Sequence, residues 1–170
     1  GDVYKRQALA AASLAQVHRA TIKSTGENIC LKVQYPGLAA VMDKEFDAVI
    51  RMMTLTRFLK RSGDLDIWLS EIRDLLHNEI NYQREIALTR KMEKLLKHDA
   101  LSNPLPTPVR VPEIHLEYSN DALIAMEYIK GESLSNIDVS SLSLGRRNAL
   151  AKTMLELFFK EVFQWGIIQT

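Results

Sequence analysis

The chain has 170 residues, a length that suggests one domain, with 46% apolar and 25% charged residues, as in ordinary globular domains. A net charge of +1 gives no electrostatic case for binding nucleic acid or an anionic membrane surface. The single cysteine, Cys30, excludes an internal disulfide and a Cys-based zinc cluster, no apolar run nears the ~18 residues that span a bilayer, and no signal-peptide pattern opens the chain.

Residues 1–7 (GDVYKRQ) lack periodicity and a starting Met, and are expected to be a non-native leader. Ala10, Ala11, Ala12, Ser13, Leu14 and Ala15 follow, a small-residue stretch that reads as a turn before a strand. Its pattern Ala10-x-Ala12-Ser13-Leu14-Ala15-x-Val17 has the spacing of a kinase nucleotide-binding loop, with alanine at each glycine position. A glycine loop lets backbone N–H groups approach phosphates closely, whereas alanine restricts φ and adds methyls. A buried turn between packed elements has the same composition.

Leu14 to Ile22 reads as a strand, Ser24 to Glu27 as a turn, and Ile29 to Val33 as a second strand, which makes a hairpin. Lys32 ends the second strand fifteen residues after Val17, about where a strand lysine of the V-A-I-K type falls. A buried lysine there needs an anionic partner, and an edge lysine would point to solvent. Cys30 lies two residues before it, as a small residue of the strand.

Asp43 to Arg61 carries helical periodicity (Phe46, Val49, Ile50, Met53), with Asp43 as the expected cap and Ser62-Gly63 as the stop. A second helical pattern runs from Asp66 to Lys97 and loses regularity near Glu79 to Tyr82, where a break at Asn81 is an open alternative. Asn81 and Glu85 are four apart and share a face, while Glu79 joins them only if the helix breaks. These carboxylates are either partners for Lys32 or a solvated charged face. Asp99 to Pro112 is loop, with Pro104, Pro106, Pro108 and Pro112 unable to donate to a ladder.

Val109 to Tyr118 and Ala122 to Glu127 read as strands joined by Ser119-Asn120-Asp121. The second leads through Met126, Glu127, Tyr128 and Ile129 to Gly131, an apolar strand that runs out into a break. Ser133 to Leu144 suggests short turns, and Gly145 to Trp165 a long helix ended by Gly166. His18, His77, His98 and His115 have no metal-ligand spacing, and no Ser/His/Asp or Cys/His set argues for nucleophilic catalysis. The element order is α+β and resembles the small lobe of a protein-kinase fold over 8–127, with inserted helices, then a hinge and the start of the large lobe over 128–170, truncated.

Taken in order, AAASLAQVHRA, LKVQYPG, NEINYQREIA, VPEIHLEYSNDALIAMEYIKGESL and FQWGIIQT resemble the UbiB / AarF / ADCK family of atypical protein-kinase-like proteins. The resemblance runs from Ala8 to Thr170. It implies an alanine-rich loop (Ala10 to Ala15) over nucleotide phosphates, Lys32 positioning ATP or ADP, and Glu85 as its ion-pair partner. It places Glu79 and Asn81 on the family's E-x-D motif, with Asn in the third position, and Met126 to Ile129 on the gatekeeper and hinge. Ala15, Val17 and Cys30 would contact the nucleotide.

By the same resemblance the K-x-G-Q segment would precede Ala8. The catalytic-loop Asp, the metal-binding Asn and the metal-binding Asp would follow Thr170. The expectation is therefore a fragment that carries no metal ligands and is inactive by itself, with Mg2+ bound by the full-length protein. The implied role is support of ubiquinone (isoprenoid quinone) biosynthesis by an intracellular, membrane-associated protein, with lipid or a quinone precursor and other quinone-biosynthesis proteins as partners. A non-catalytic nucleotide-binding scaffold or switch is the alternative. Ordinary protein phosphorylation is disfavoured by the alanines at Ala10, Ala12 and Ala15 and by the Glu79/Asn81 pair.

Overall fold

The computed structural model describes residues 8–12, 14–55 and 63–167, with side chains omitted for 8–12, 63, 64 and 66. The leader 1–7, Ser13, the tail of the first helical pattern with Ser62, and the terminal Ile168-Gln169-Thr170 lie outside the described residues. The chain divides into two compact units. One comprises 1–87 with 113–128, the other 88–112 with 129–170.

The first unit is built on an antiparallel sheet of four strands in chain order: β1 (Ala8–Ala12), β2 (Ala15–Thr21), β3 (Asn28–Gln34) and β4 (Leu123–Glu127). Three helices of the chain, α1 (Leu38–Leu55), α2 (Gly63–Glu79) and α3 (Tyr82–Ser102), are inserted between β3 and β4. The β2–β3 connection closes on Gly26, whose φ of 75° is the left-handed conformation that glycine adopts freely. The alanine stretch differs from the sequence expectation. Ala8–Ala12 is a strand paired with β2, with Ala10 opposite Val17 and Ala12 opposite Ala15, rather than part of a turn. Alanine has poor strand propensity, and here the ladder to β2 overrides it.

Strand register fixes which side chains share a face. Val17, Lys32 and Ile124 form one cross-strand row, and Arg19, Cys30 and Met126 form the next, two residues along each strand. On this face Ile124, the most deeply buried large side chain, packs with Tyr82 and Ile86 at the start of α3, flanked by Ile114 and Met126. Ala125, fully buried, belongs to the alternate set.

Other boundaries also moved. Helix α1 begins at Leu38, five residues before the expected cap. Asp43 lies inside it and instead accepts from His77 Nε2 (3.0 Å) and pairs with Arg73 Nη1 (3.5 Å) on α2. The Arg73 guanidinium also bonds Asp47 and lies 5.1 Å over the Phe46 ring. Cross-helix charge pairing thus replaces capping as the use of Asp43. Gly63 opens α2 rather than stopping α1. The expected strand over Val109–Tyr118 is reduced to one bridge, Ile114 opposite Met126, followed by a 3-10 turn at Leu116–Tyr118. Pro108 and Pro112 lack the N–H groups that a ladder would use.

In the second unit, α4 (Leu144–Phe159) is capped by Ser143, whose hydroxyl accepts from the Arg146 N–H. It continues as a π-helical turn over Lys160–Trp165 and ends at Gly166, whose φ is 60°. Lys160 is only 5% exposed. Its ammonium pairs with Asp99, which lies on α3, and donates to the Asn103 carbonyl at 2.9 Å. Thr153, also buried, accepts from the Thr107 N–H at 2.8 Å and ties the proline-rich segment to α4.

Candidate functional site

The helical break is what brings the charged groups together. Helix α2 ends at Glu79 and α3 begins at Tyr82, with Ile80 buried between them. The Asn81 side-chain oxygen accepts from the Arg84 N–H at 3.0 Å, an N-cap for α3. Its backbone carbonyl accepts from the Glu85 N–H at 3.0 Å, which closes the first turn. Gln34, two residues after Lys32 on the same sheet face, donates from Nε2 to the Ile80 carbonyl at 2.7 Å and fastens the break to β3.

In that frame Glu85 faces the sheet. Lys32 Nζ is 2.7 Å from each carboxylate oxygen of Glu85, a short, two-pronged, charge-assisted contact across 53 residues of sequence. The side chains remain 25% and 36% exposed, so the pair is accessible to a solvent-borne anion. The ammonium also lies 5.3 Å from the centre of the Tyr82 ring. Burial, and then the negative charge of Glu85, push the Tyr82 phenol up to about 12.

The other candidate residues fall as follows. Leu14 is half-buried at the turn, Ala15 is buried at the start of β2, and Val17 is half-buried opposite Lys32. Ala10, Ala11 and Ala12 contribute backbone to β1. Cys30 is half-buried opposite Met126, and its burial raises the thiol pKa while Arg19 lowers it. Glu127 and Tyr128 end the first unit, with the Arg19 guanidinium 4.6 Å over the Tyr128 ring, whereas Ile129 belongs to the second unit and is exposed. Glu79 is exposed at the end of α2, and Asn81 is used as a helix cap.

Tyr82, Arg19 and Gln34 were not singled out as site residues by the sequence. Tyr82 had a usable signal, since it lies three residues before Glu85 and so shares its helical face. Gln34 had none, because its partner is a backbone carbonyl 46 residues away.

The chemistry of this donor set suits a nucleotide. A cation stands beside apolar side chains (Val17, Cys30, Met126) on one sheet face, next to the β1–β2 hairpin in the same sheet. No group of three His, Cys, Asp or Glu that could hold a metal ion stands together among the described residues. No described helix is long and apolar enough to cross a membrane.

Capping gives a direct check on Asn81. Replacing it with alanine removes the acceptor for the Arg84 N–H and is expected to cost about 1 kcal/mol in chemical denaturation. Asn81→Asp keeps the acceptor and adds a charge favoured at a helix N-terminus, so it is expected to restore wild-type stability or exceed it. Equal losses for both variants would show that the cap is unimportant.

A hairpin paired with a lysine strand, with the lysine held by a helix glutamate beside an apolar β4, defines the small lobe of a protein-kinase-like fold, and the following helices fit the start of a large lobe. More closely, the chain belongs to the ABC1 atypical kinase-like domain family, which matches residues 2–170. It is 29% identical over 167 residues to the mitochondrial atypical kinase COQ8 of Schizosaccharomyces pombe, covering 98% of this chain and 26% of that protein. It is 28% identical over 162 residues to the mitochondrial atypical kinase COQ8 of Saccharomyces cerevisiae, covering 95% and 30%. To the probable protein kinase UbiB of Photobacterium profundum it is 28% identical over 166 residues, covering 96% and 29%. The chain thus spans 26–30% of the length of these relatives, one of which carries the UbiB name that the sequence motifs led to.

Proposed function

We propose that the chain is the nucleotide-facing part of an ATP-binding atypical kinase or ATPase that supports isoprenoid quinone biosynthesis. The observation that carries this reading is the Lys32–Glu85 contact, 2.7 Å to both oxygens, on the sheet face that also presents Val17, Cys30 and Met126. Lys32 contacts the α- and β-phosphates, Glu85 orients Lys32, and Val17, Cys30 and Met126 line the base. Backbone groups of the β1–β2 hairpin lie over the phosphates, and backbone groups at Glu127 to Ile129 read the base. Residues 8–127 form the small lobe, and residues 128–170 form the hinge and the first part of the large lobe. The alanines of the hairpin limit transfer to ordinary protein substrates. The quinone role and the intracellular location draw on the relatives' names and the motif resemblance, and the membrane association and the lipid, quinone-precursor or quinone-pathway protein partners rest on the motif resemblance alone.

The reading is tested on the full-length protein by calorimetry with ATP and ADP, with and without Mg2+, followed by turnover in the presence of lipid or a phenolic quinone precursor. Saturable nucleotide binding with turnover is expected from the full-length protein. Binding without turnover would assign the alternative, a nucleotide-operated switch or scaffold, and absence of binding would overturn both. The 170 residues alone are expected to release no phosphate from ATP, and turnover by them that Lys32→Ala abolishes would overturn that expectation.

A further inference from the structure

Tyr82 is 2% exposed and packs with Ile86 and Ile124 as a core residue. Its hydroxyl nevertheless finds no hydrogen-bond partner among the described residues. Phenylalanine would fill the same space without burying a donor, and a buried donor left unmatched is costly. A tyrosine kept at such a position calls for a partner that this arrangement does not supply.

The surroundings indicate which partner. Tyr82 and Glu85 are three residues apart on α3, and the Lys32 ammonium lies over the Tyr82 ring, 5.3 Å from its centre. Both oxygens of Glu85 are engaged by Lys32. An ammonium that reaches both an α- and a β-phosphate oxygen cannot keep the same two-pronged hold, because two carboxylate and two phosphate oxygens call for four protons and it has three. One carboxylate oxygen is then free to accept from another donor.

We propose that Tyr82 is a positioning residue for the Lys32–Glu85 pair: its ring supports the ammonium, and its phenol donates to the Glu85 oxygen that Lys32 releases on turning toward a phosphate. The inference rests on the reading of Lys32 as a phosphate ligand. Its chemical requirement is met, since a phenol pushed up to about 12 keeps its proton at any working pH and is a donor.

The test uses full-length protein as wild type, Tyr82→Phe, Tyr82→Leu and Lys32→Ala, with ATP and ADP as probes. Without nucleotide, Tyr82→Phe is expected to melt at or above the wild-type temperature, because it removes an unmatched donor. With nucleotide it is expected to bind about three- to ten-fold more weakly, the net worth of one hydrogen bond. Tyr82→Leu, which also removes the ring, is expected to bind more weakly again. In protein with carbon-labelled tyrosine, the ring resonance missing from Tyr82→Phe is expected to move when ATP is added. Wild-type affinity in Tyr82→Phe, or a Tyr82 resonance that does not respond to ATP, overturns the proposal while leaving a weakened Lys32→Ala intact. Undiminished binding by Lys32→Ala overturns the phosphate reading, and the Tyr82 proposal with it.

Discussion

Full-length protein carrying Lys32→Ala is expected to bind ATP and ADP about ten- to a hundred-fold more weakly than wild type, the range for losing a hydrogen bond to a charged group. Its folding stability is expected to change by no more than about 1 kcal/mol. The reason lies in exposure: at 25% and 36% exposed, Lys32 and Glu85 can both be hydrated, so their mutual attraction is largely screened. Glu85→Gln retains the cation but loosens its anchor, and is expected to weaken binding by about three- to ten-fold. The double variant is expected to bind no worse than Lys32→Ala, because Glu85 acts on the nucleotide only through Lys32. Calorimetric affinities and denaturant midpoints for the four proteins check this. A Lys32→Ala variant that loses several kcal/mol of stability and no affinity would make the pair structural.

The largest stability effect is expected at Asp99. Removing its carboxylate leaves the Lys160 ammonium, 5% exposed, with the Asn103 carbonyl as its remaining described acceptor. An uncompensated charge of that kind costs about 3–5 kcal/mol, so Asp99→Ala is expected to lower the denaturation midpoint sharply. Lys160→Met is expected to be milder, because the Asp99 side chain, 20% exposed, can recruit water. The pair Asp99→Leu with Lys160→Met is expected to recover most of the loss, since a buried ion pair and apolar residues of similar volume are often near-equivalent. A double variant as unstable as Asp99→Ala would show that the site needs charge for its geometry rather than for matching.

Much of this site could be read in the sequence because its signals are local. The hairpin from Leu14 to Val33 is written in strand-forming residues around a glycine turn, and the structure puts β2 and β3 within a residue or two of it. The lost periodicity near Asn81 left a helix break open as one alternative, and the structure has it, with α2 ending at Glu79 and α3 starting at Tyr82. Glu85 as the partner of Lys32 came from the ordered motifs and is the contact seen. Alanine composition misled in the other direction. Ala8–Ala12 has little propensity to be a strand and becomes one only because β2 offers it a ladder. Asp43 misled too: a carboxylate near a helix start reads as a cap, and nothing local announces that Arg73 and His77 will claim it.

By itself, then, the sequence indicated most element types and the family, and left a break between α2 and α3 as one alternative, because each depends on residue pattern over short windows. The tertiary structure alone decided what those elements place in contact. Sheet register set Lys32 between Val17 and Ile124 on the face toward Glu85. Gln34 fastened the break to β3, and the Tyr82 ring came to lie under the ammonium. Asp99 and Lys160, 61 residues apart, became one buried pair. Those contacts join residues tens of positions apart, where no periodicity or propensity carries information and only packing and hydrogen-bond matching select the partner.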